Sequence, residues 1–178
     1  QDVGRLVRSP HGRLARRDRI ALILLVNTGL RRDEAISLTW RDLVPTGDGY
    51  QLSVESGKGD KPRAIPLTNT LVDELLSWKK WCNAGDDDRV LRGFKSTQLT
   101  DSITGAQLYN IVRKAGKAIG RPKLAPHDLR RTYAMQLYNQ NVKTEVISLL
   151  LGHESVETTI RYLNVKVSPD AVVHFPID

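Results

Sequence analysis

The strongest constraint on the fold is the longest apolar run of the chain, which covers residues 20–26. Seven residues are far too few to span a bilayer. Thr28 and Gly29 follow the run and supply a helix end, because glycine readily adopts the left-handed conformation found there. The pattern therefore predicts a largely buried helix over residues 16–27, inside a globular domain.

The rest of the chain reads as mainly helical, with one short extended region. Thr68 and Thr104 are expected to cap two helices, and a hairpin is expected from strands at 50–55 and 63–67. Proline should confine the second strand to an edge-like position. Further helices are predicted at about 31–39, 127–139, 143–151 and 155–162. The predicted fold class is mainly α with a small antiparallel β-sheet (α+β).

Charge and cysteine content narrow the function classes. The chain has 27 Lys and Arg against 20 Asp and Glu, a net charge of +7, and a pI near 9.7. This surplus favours a polyanionic partner such as nucleic acid. Six arginines within the first nineteen residues suggest either a phosphate-contacting arm or a solvated helix start. A single cysteine excludes an internal disulfide framework and favours an intracellular, cytoplasmic location.

Several chemically versatile side chains stand at predicted element boundaries. Taken singly, each has a plainer interpretation: an ion pair, a solvated turn or a packed aromatic ring. Together they are suited to the attack of a tyrosyl oxygen on a phosphodiester. Arginines would stabilise the transition state in place of a metal, and no cofactor is expected. These side chains are Arg31, Lys58, His127, Arg130, His153 and Tyr162.

The contexts of these residues, in this order, resemble those of the tyrosine recombinase (phage integrase) family over about residues 20–165. The resemblance covers most of the chain and rests on several short motifs found together. They are TGLRRDE at 28–34 with LTWRD at 38–42, GKGDKPRAIPL at 57–67, PHDLRRTYA at 126–134, LLGH at 150–153 and TTIRY at 158–162.

The resemblance implies which residues bind the phosphate and which residue supports the site structurally. Arg31 and Arg130 would hold the scissile phosphate, and His153 would be a further phosphate donor. Glu34 matches a family carboxylate that positions an arginine. Apart from the resemblance, basic residues on the helix that ends near Ile119 and on the link after it are candidates for contacts with DNA phosphates, although a solvated basic face explains them nearly as well. These residues are Arg113, Lys114, Lys117, Arg121 and Lys123.

The resemblance also implies a nucleophile and its proton carriers. Tyr162 would form a 3′-phosphotyrosyl intermediate, His127 would be the general base toward it, and Lys58 the general acid for the 5′-oxygen. The implied enzyme is a site-specific DNA recombinase for integration, excision or resolution. Where the family often has a histidine two residues after the nucleophile, this chain has Asn164.

The family further implies how the chain is organised and assembled. We expect one catalytic domain over 1–178, with a basic arm at 1–15 and without the family's N-terminal core-binding domain. The expected partner is double-stranded DNA, bound by a homotetramer that is monomeric without DNA, with no membrane association. The tail at 163–178 would be exchanged between protomers through its apolar residues, or it would fold back on its own domain or be disordered.

Two other interpretations remain beside this one, and a third is set aside. Residues 143–162 read as a helix-turn-helix around Gly152, which suggests a non-enzymatic DNA-binding regulator. A type IB topoisomerase would share similar chemistry. A metal-dependent nuclease would need convergent carboxylates, and the run Asp86, Asp87 and Asp88 is more typical of a solvated loop, so no metal site is predicted.

Overall fold

The computed structural model describes residues 13–55, 62–95 and 98–163. Helices dominate these ranges and a small antiparallel sheet lies among them, as the sequence predicted. The helices are α1 (Arg13–Thr28), α2 (Arg32–Ser37), α3 (Asn69–Cys82), α4 (Gly105–Ala118), α5 (Pro126–Asn139), α6 (Thr144–Leu151) and α7 (Val156–Leu163). The strands are β1 (Leu43–Thr46), β2 (Gly49–Val54), β3 (Arg63–Leu67), β4 (Phe94–Lys95) and β5 (Gln98–Leu99).

Helix α1 is the centre of the larger apolar core, which confirms the prediction from the apolar run. Its residues 20–26 are all at most 6% exposed, and side chains of α3, α4 and the sheet pack around them. At its end the buried hydroxyl of Thr28 donates to the carbonyl of Leu24 at 2.6 Å. Gly29 then adopts φ +62° and turns the chain out of the helix.

Helix α2 is shorter than predicted, because it ends at Ser37 rather than near residue 39. Leu38 is extended, and its carbonyl accepts from the amide of Val90 at 2.9 Å. The carboxylate of Asp42 accepts hydrogen bonds from both the amide and the hydroxyl of Thr39, at 2.8 and 2.9 Å. These contacts give the backbone an alternative to helix and start a 3₁₀ turn over Trp40–Asp42.

The sheet has three strands in the order β1-β2-β3, all antiparallel, instead of the predicted two-stranded hairpin. Strand β1 was not predicted, because Pro45 and the residues after it are typical of a turn. Strand β3 lies at the sheet edge, where Pro66 pairs with Gln51, as its proline content predicted. Residues 56–61, which include Lys58, lie outside the described residues.

The later helices begin where the sequence predicted. The hydroxyl of Thr68 accepts from the amide of Leu71 at the start of α3. Thr104 and Gln107 form a reciprocal capping box at the start of α4. A second, smaller apolar cluster joins α5, α6 and α7 through Tyr133, Ala134, Ile147, Leu151 and Leu163. This cluster fixes the position of α7 and therefore of Tyr162.

Two predicted segments fall largely outside the described ranges: residues 1–12 of the basic arm and residues 164–178 of the tail. None of the helices within the described ranges combines the length and apolar character that crossing a bilayer requires.

Candidate active site

A pocket of about 560 Å³ opens between α2, α4, α5 and α7. Its walls bring together side chains that are distant in the sequence and come from separate elements. Five of the six predicted catalytic residues line it, namely Arg31, His127, Arg130, His153 and Tyr162. The sixth, Lys58, lies outside the described residues. The pocket therefore collects two guanidinium groups, two imidazoles and a phenol in one concave space.

Arg130 is a buried residue of the pocket, with a side chain only 4% exposed, and two backbone carbonyls hold its guanidinium in place. Its Nη1 donates to the carbonyl of Gly29 at 2.8 Å and its Nη2 to the carbonyl of Leu151 at 2.5 Å. A Cβ at position 29 would lie 2.4 Å from a ring carbon of Tyr133, so the close approach requires glycine. Burial, and then repulsion from Arg31, lower the pKa of Arg130 to about 10. A bound anion would offset both effects.

Glu34 lies among three arginines. Its Oε2 accepts from the backbone amide of Arg31 at 2.7 Å, its Oε1 lies 3.2 Å from Nη1 of Arg31, and Nη1 of Arg130 lies 4.0 Å from Oε2. Burial, the largest single influence, raises the pKa of Glu34, but the hydrogen bonds from Arg63 and Arg31 outweigh it and hold the pKa below its ordinary value. Glu34 is therefore a partly buried anion between the two arginines of the pocket.

Arg63 is the third of these arginines, and the sequence analysis gave it no role. Both of its terminal nitrogens donate to Glu34, at 2.9 and 2.7 Å, and its Nε donates to the carbonyl of Leu150 at 2.9 Å. The signal that could have found it is the period of β3. Arg63 and Ile65 share the buried face of that strand, and an inward-facing arginine requires a buried partner.

Tyr162 lies between the two histidines of the pocket. Its ring meets the His127 ring edge-on at 5.2 Å and the His153 ring edge-on at 5.5 Å, measured between centroids. Its hydroxyl donates to the backbone carbonyl of His127 at 3.3 Å. Burial raises the pKa of Tyr162, and the positive charges of Arg130 and Arg131 oppose this only in part. The phenol therefore keeps its proton at neutral pH.

A buried hydroxyl orients His153. Its Nδ1 lies 2.8 Å from Oγ1 of Thr159, a residue of α7 that is 0% exposed. Gly152, directly before it, ends α6 with φ +67°, and this turn directs the imidazole toward the pocket. The helix that carries Tyr162 therefore also sets the orientation of His153.

The predicted DNA-contacting residues lie along α4 and the link that follows it. Lys114, Lys117, Arg121 and Lys123 are exposed, whereas Arg113 is half-buried. The guanidinium of Arg113 lies over the ring of Tyr109, 5.6 Å from its centroid, and Tyr109 lines the pocket. The sequence analysis missed Tyr109, because one exposed tyrosine on an amphipathic helix gives no signal of its own.

The aspartate run at 86–88 does not converge on a common point. Each carboxylate pairs with a different cation: Asp86 with Lys79, Asp87 with Arg41, and Asp88 with Arg92. Among the residues that the structure describes, no three His, Cys, Asp or Glu side chains are grouped closely enough to hold a metal ion.

Comparison with known proteins adds to this geometry. Residues 1–168 match the model of the phage integrase family. Tyrosine recombinase XerA of Pyrococcus horikoshii is 32% identical over 149 residues, which are 84% of this chain and 50% of that protein. The crystal structure of XerA recombinase superposes with a TM-score of 0.75 and 27% identity, over 93% of this chain and 58% of that chain.

A second solved structure, XerH site-specific recombinase bound to difH substrate, shares the fold. It has a TM-score of 0.75 and 24% identity, over 95% of this chain and 50% of that chain. The chain spans about half the length of the curated relatives it matches. The family match extends from before the buried helix α1 to beyond Tyr162 and includes every residue of the pocket, so the chain belongs to the phage integrase family.

Proposed function

We propose that this chain cuts and rejoins DNA strands in site-specific recombination, through a covalent bond between Tyr162 and a 3′-phosphate. The observation that carries the proposal is the position of Tyr162 in one pocket with Arg31 and Arg130. Membership of the phage integrase family supports it, as does XerH, a site-specific recombinase of the same fold whose structure is solved with the difH substrate bound.

The proposed reaction is an in-line displacement at phosphorus. Arg31 and Arg130 bind the two non-bridging oxygens, and His153 donates a further hydrogen bond. The Tyr162 oxygen forms a bond to phosphorus as the bond from phosphorus to the 5′-oxygen breaks. The phenolic proton passes to His127, and the 5′-oxygen takes a proton from Lys58. Attack by the 5′-hydroxyl of another strand reverses these steps and rejoins the DNA.

Electrostatics favours this pocket for a phosphodiester. Arg130 is buried, and its lowered pKa reports a charge that is poorly solvated before an anion arrives. A bound phosphate restores the favourable field, and the added negative charge of the transition state strengthens it further in a low-dielectric site. The fixed hydrogen bonds of Arg130 to Gly29 and Leu151 mean that the cation needs little reorganisation during the reaction.

The proposal includes the organisation of the chain and its assembly. We infer that residues 1–178 are one catalytic domain, that Lys114, Lys117, Arg121 and Lys123 contact the backbone of double-stranded DNA, and that Arg113 acts with them. Strand exchange between two duplexes requires four active sites, so the active form is a homotetramer on DNA. Without DNA the chain is a monomer, and light scattering with and without bound duplex measures both states.

A trapping experiment tests the proposed chemistry. The chain is incubated in EDTA with a pool of duplexes of randomised sequence, each carrying a nick from which the short cleaved fragment diffuses away. We expect a denaturant-resistant protein–DNA adduct whose peptide mass places the DNA on Tyr162. Sequencing the trapped DNA then reads out the target site.

Two variants control this experiment. Tyr162→Phe removes the nucleophile and should abolish the adduct, whereas Tyr138→Phe alters an exposed tyrosine of α5 outside the pocket and should leave it unchanged. An adduct that persists in Tyr162→Phe, or that EDTA abolishes, contradicts the mechanism.

The regulator and the topoisomerase predict different results in the same assay. Helices α6 and α7 follow one another across a short turn that begins at Gly152, which is the segment a regulator would use. A regulator would bind duplex DNA and leave no adduct under any condition. A topoisomerase would form the adduct and relax supercoiled plasmids that lack the trapped sequence. Exchange between two duplexes that both carry the sequence is expected only of a recombinase.

A further inference from the structure

Arg63 does not line the pocket, but it contacts Glu34, which in turn contacts the pocket residue Arg31. Its side chain is 1% exposed, so it cannot touch a bound phosphate. Its guanidinium donates hydrogen bonds inward, two to the carboxylate oxygens of Glu34 and one to the carbonyl of Leu150. An arginine so placed can act on the reaction only through its neighbours.

The neighbour it shares with the pocket is Glu34. The same carboxylate lies 3.2 Å from a guanidinium nitrogen of Arg31 and 4.0 Å from one of Arg130. Three guanidinium cations therefore surround one carboxylate, which leaves an excess of two positive charges in this group. Arg63 makes the closest side-chain contacts with the carboxylate, through a two-pronged pair in which each nitrogen meets one oxygen.

We propose that Arg63 is a positioning residue that occupies both oxygens of Glu34 and thereby keeps Arg31 and Arg130 available to the phosphodiester. The inference rests on the proposed function, because it assigns the phosphate to those two arginines. Arg63 itself contacts neither the DNA nor the nucleophile.

The physical reason is competition for one partly buried anion, the carboxylate of Glu34. A carboxylate that loses its principal partner is costly to leave unpaired, so Glu34 would attract Arg31 and Arg130 more closely. The local excess of positive charge would also fall from two to one. A phosphate would then meet a weaker field, and it would have to loosen contacts of Glu34 with Arg31 and Arg130 that are closer than the 3.2 and 4.0 Å of the native site.

A purely mechanical role is the competing explanation. The bond from Arg63 to Leu150 fastens β3 to the end of α6, and a Cβ at Gly152 would lie 2.9 Å from Nη1 of Arg63. On that view Arg63 only anchors two elements, and its loss would weaken the fold without a specific effect on anion binding. The two roles diverge when Glu34 is neutralised in the same protein.

A double-mutant cycle with inorganic phosphate separates the two roles. The full chain, Glu34→Gln, Arg63→Met and the double variant are each heated with increasing phosphate, and the rise in Tm gives the phosphate Kd. We expect Arg63→Met to raise this Kd about tenfold, a value typical of neighbours in one ion-pair network. The double variant should recover most of the loss, because no carboxylate is left to compete.

A matched control exists on helix α1. Arg17 pairs with Asp18 in a similarly buried position outside the pocket, where the two side chains are 11% and 12% exposed. Arg17→Met should lower the Tm of the unliganded protein, yet leave the phosphate Kd unchanged. The single and double variants at positions 34 and 63 are compared with this background.

Three outcomes would overturn the inference. An unchanged phosphate Kd in Arg63→Met would mean that Arg63 only anchors β3 to the end of α6. A double variant no better than Arg63→Met would exclude competition for Glu34. If phosphate did not raise the Tm of the unmutated chain, the pocket would not be an anion-binding site. Failure of the proposed function is separate, since it appears as a missing Tyr162 adduct in the unmutated chain.

Discussion

The hydroxyl of Tyr162 donates to the backbone carbonyl of His127 at 3.3 Å, while the imidazole of His127 meets the tyrosine ring edge-on. The contact joins α7 to the first turn of α5. This hydrogen bond keeps the phenol beside the proposed base, but it is directed to the backbone carbonyl and not to the imidazole ring. Because burial raises the pKa of Tyr162, that proton must be removed during the attack itself.

His127→Ala isolates this proton transfer, because the carbonyl that accepts from Tyr162 belongs to the backbone and remains. We expect adduct formation to fall about 100-fold at neutral pH, the lower end of the usual contribution of a general base. The deficit should shrink as the pH rises, since hydroxide then replaces the imidazole as proton acceptor. The pH–rate profile of adduct formation in both proteins measures it.

Gln136→Ala, at an exposed position of the same helix, is the control for a truncation in α5 and should follow the unmutated profile. A deficit that is the same at every pH would mean that His127 does not act as the base.

The sequence predicted those parts of the site that depend on local signals. The hydroxyl of Thr104 precedes a helical apolar period, and a glycine follows the run that ends at Val26, so the helix boundaries near them could be inferred from neighbouring residues alone. The spacing of His127 and Arg130 likewise places both on one helix face. These signals operate within about four residues, the reach of one helical turn.

The parts that could not be predicted depend on contacts between distant segments. Helix α2 ends early because Leu38 pairs with Val90, and Arg63 is buried because Glu34 and Leu150 meet it from two other elements. Neither contact leaves a local pattern in the sequence. The resemblance to a family indicated which residues come together and that Glu34 positions an arginine, but it gave no role to Arg63.

Gly152→Ala is expected to destabilise the fold beyond its backbone strain. A residue with a side chain at φ +67° pays about 1–2 kcal/mol, and the new Cβ would lie 2.9 Å from Arg63 Nη1. We expect a total loss of about 2–4 kcal/mol in the free energy of unfolding, measured by urea denaturation.

Gly120→Ala is the matched control, because Gly120 has φ +80° with no atom within 4 Å of the added Cβ. It should show only the backbone cost of about 1–2 kcal/mol. Equal losses in the two variants would mean that Arg63 yields without cost, and that it does not hold the end of α6 in place.

Glu34→Gln should change how stability depends on pH. The pKa of Glu34 is lowered in the folded chain by Arg63 and Arg31, although burial raises it, so the folded state favours the ionised form. This contribution is fully present above the pKa of an unfolded glutamate, about 4.3, and is lost as the pH falls through the lower folded pKa. At neutral pH the variant should be less stable by about 1.5–3 kcal/mol.

The measurement is urea denaturation of both proteins between about pH 7 and pH 3, the interval on either side of that ordinary pKa. The gap between them should close toward the acid end. Asp73→Asn, which removes an exposed carboxylate of α3, is the control for the loss of one negative charge. A gap that stays constant down to the acid end would show that Glu34 contributes through packing and not through its charge.

The basic face of α4 gives a prediction about binding to DNA of any sequence. Lys114 and Lys117 are exposed on that helix, whose residue Tyr109 lines the pocket. If both lysines contact phosphates, Lys114→Gln with Lys117→Gln should lower the slope of log K against log salt by about 1.8, or 0.9 for each phosphate contact. Fluorescence anisotropy of a labelled duplex between about 50 and 200 mM salt measures this slope.

The control replaces two exposed lysines elsewhere, Lys80 on α3 and Lys95 on β4, neither of which lines the pocket. Both double variants remove two positive charges from a chain of net charge +7, so an effect of overall charge would weaken binding equally in the two. Counterion release depends instead on contacts with phosphate, so only the α4 variant should change the slope. Equal slopes in the two variants would assign these lysines to solubility and leave the DNA-binding face to be found elsewhere on the molecule.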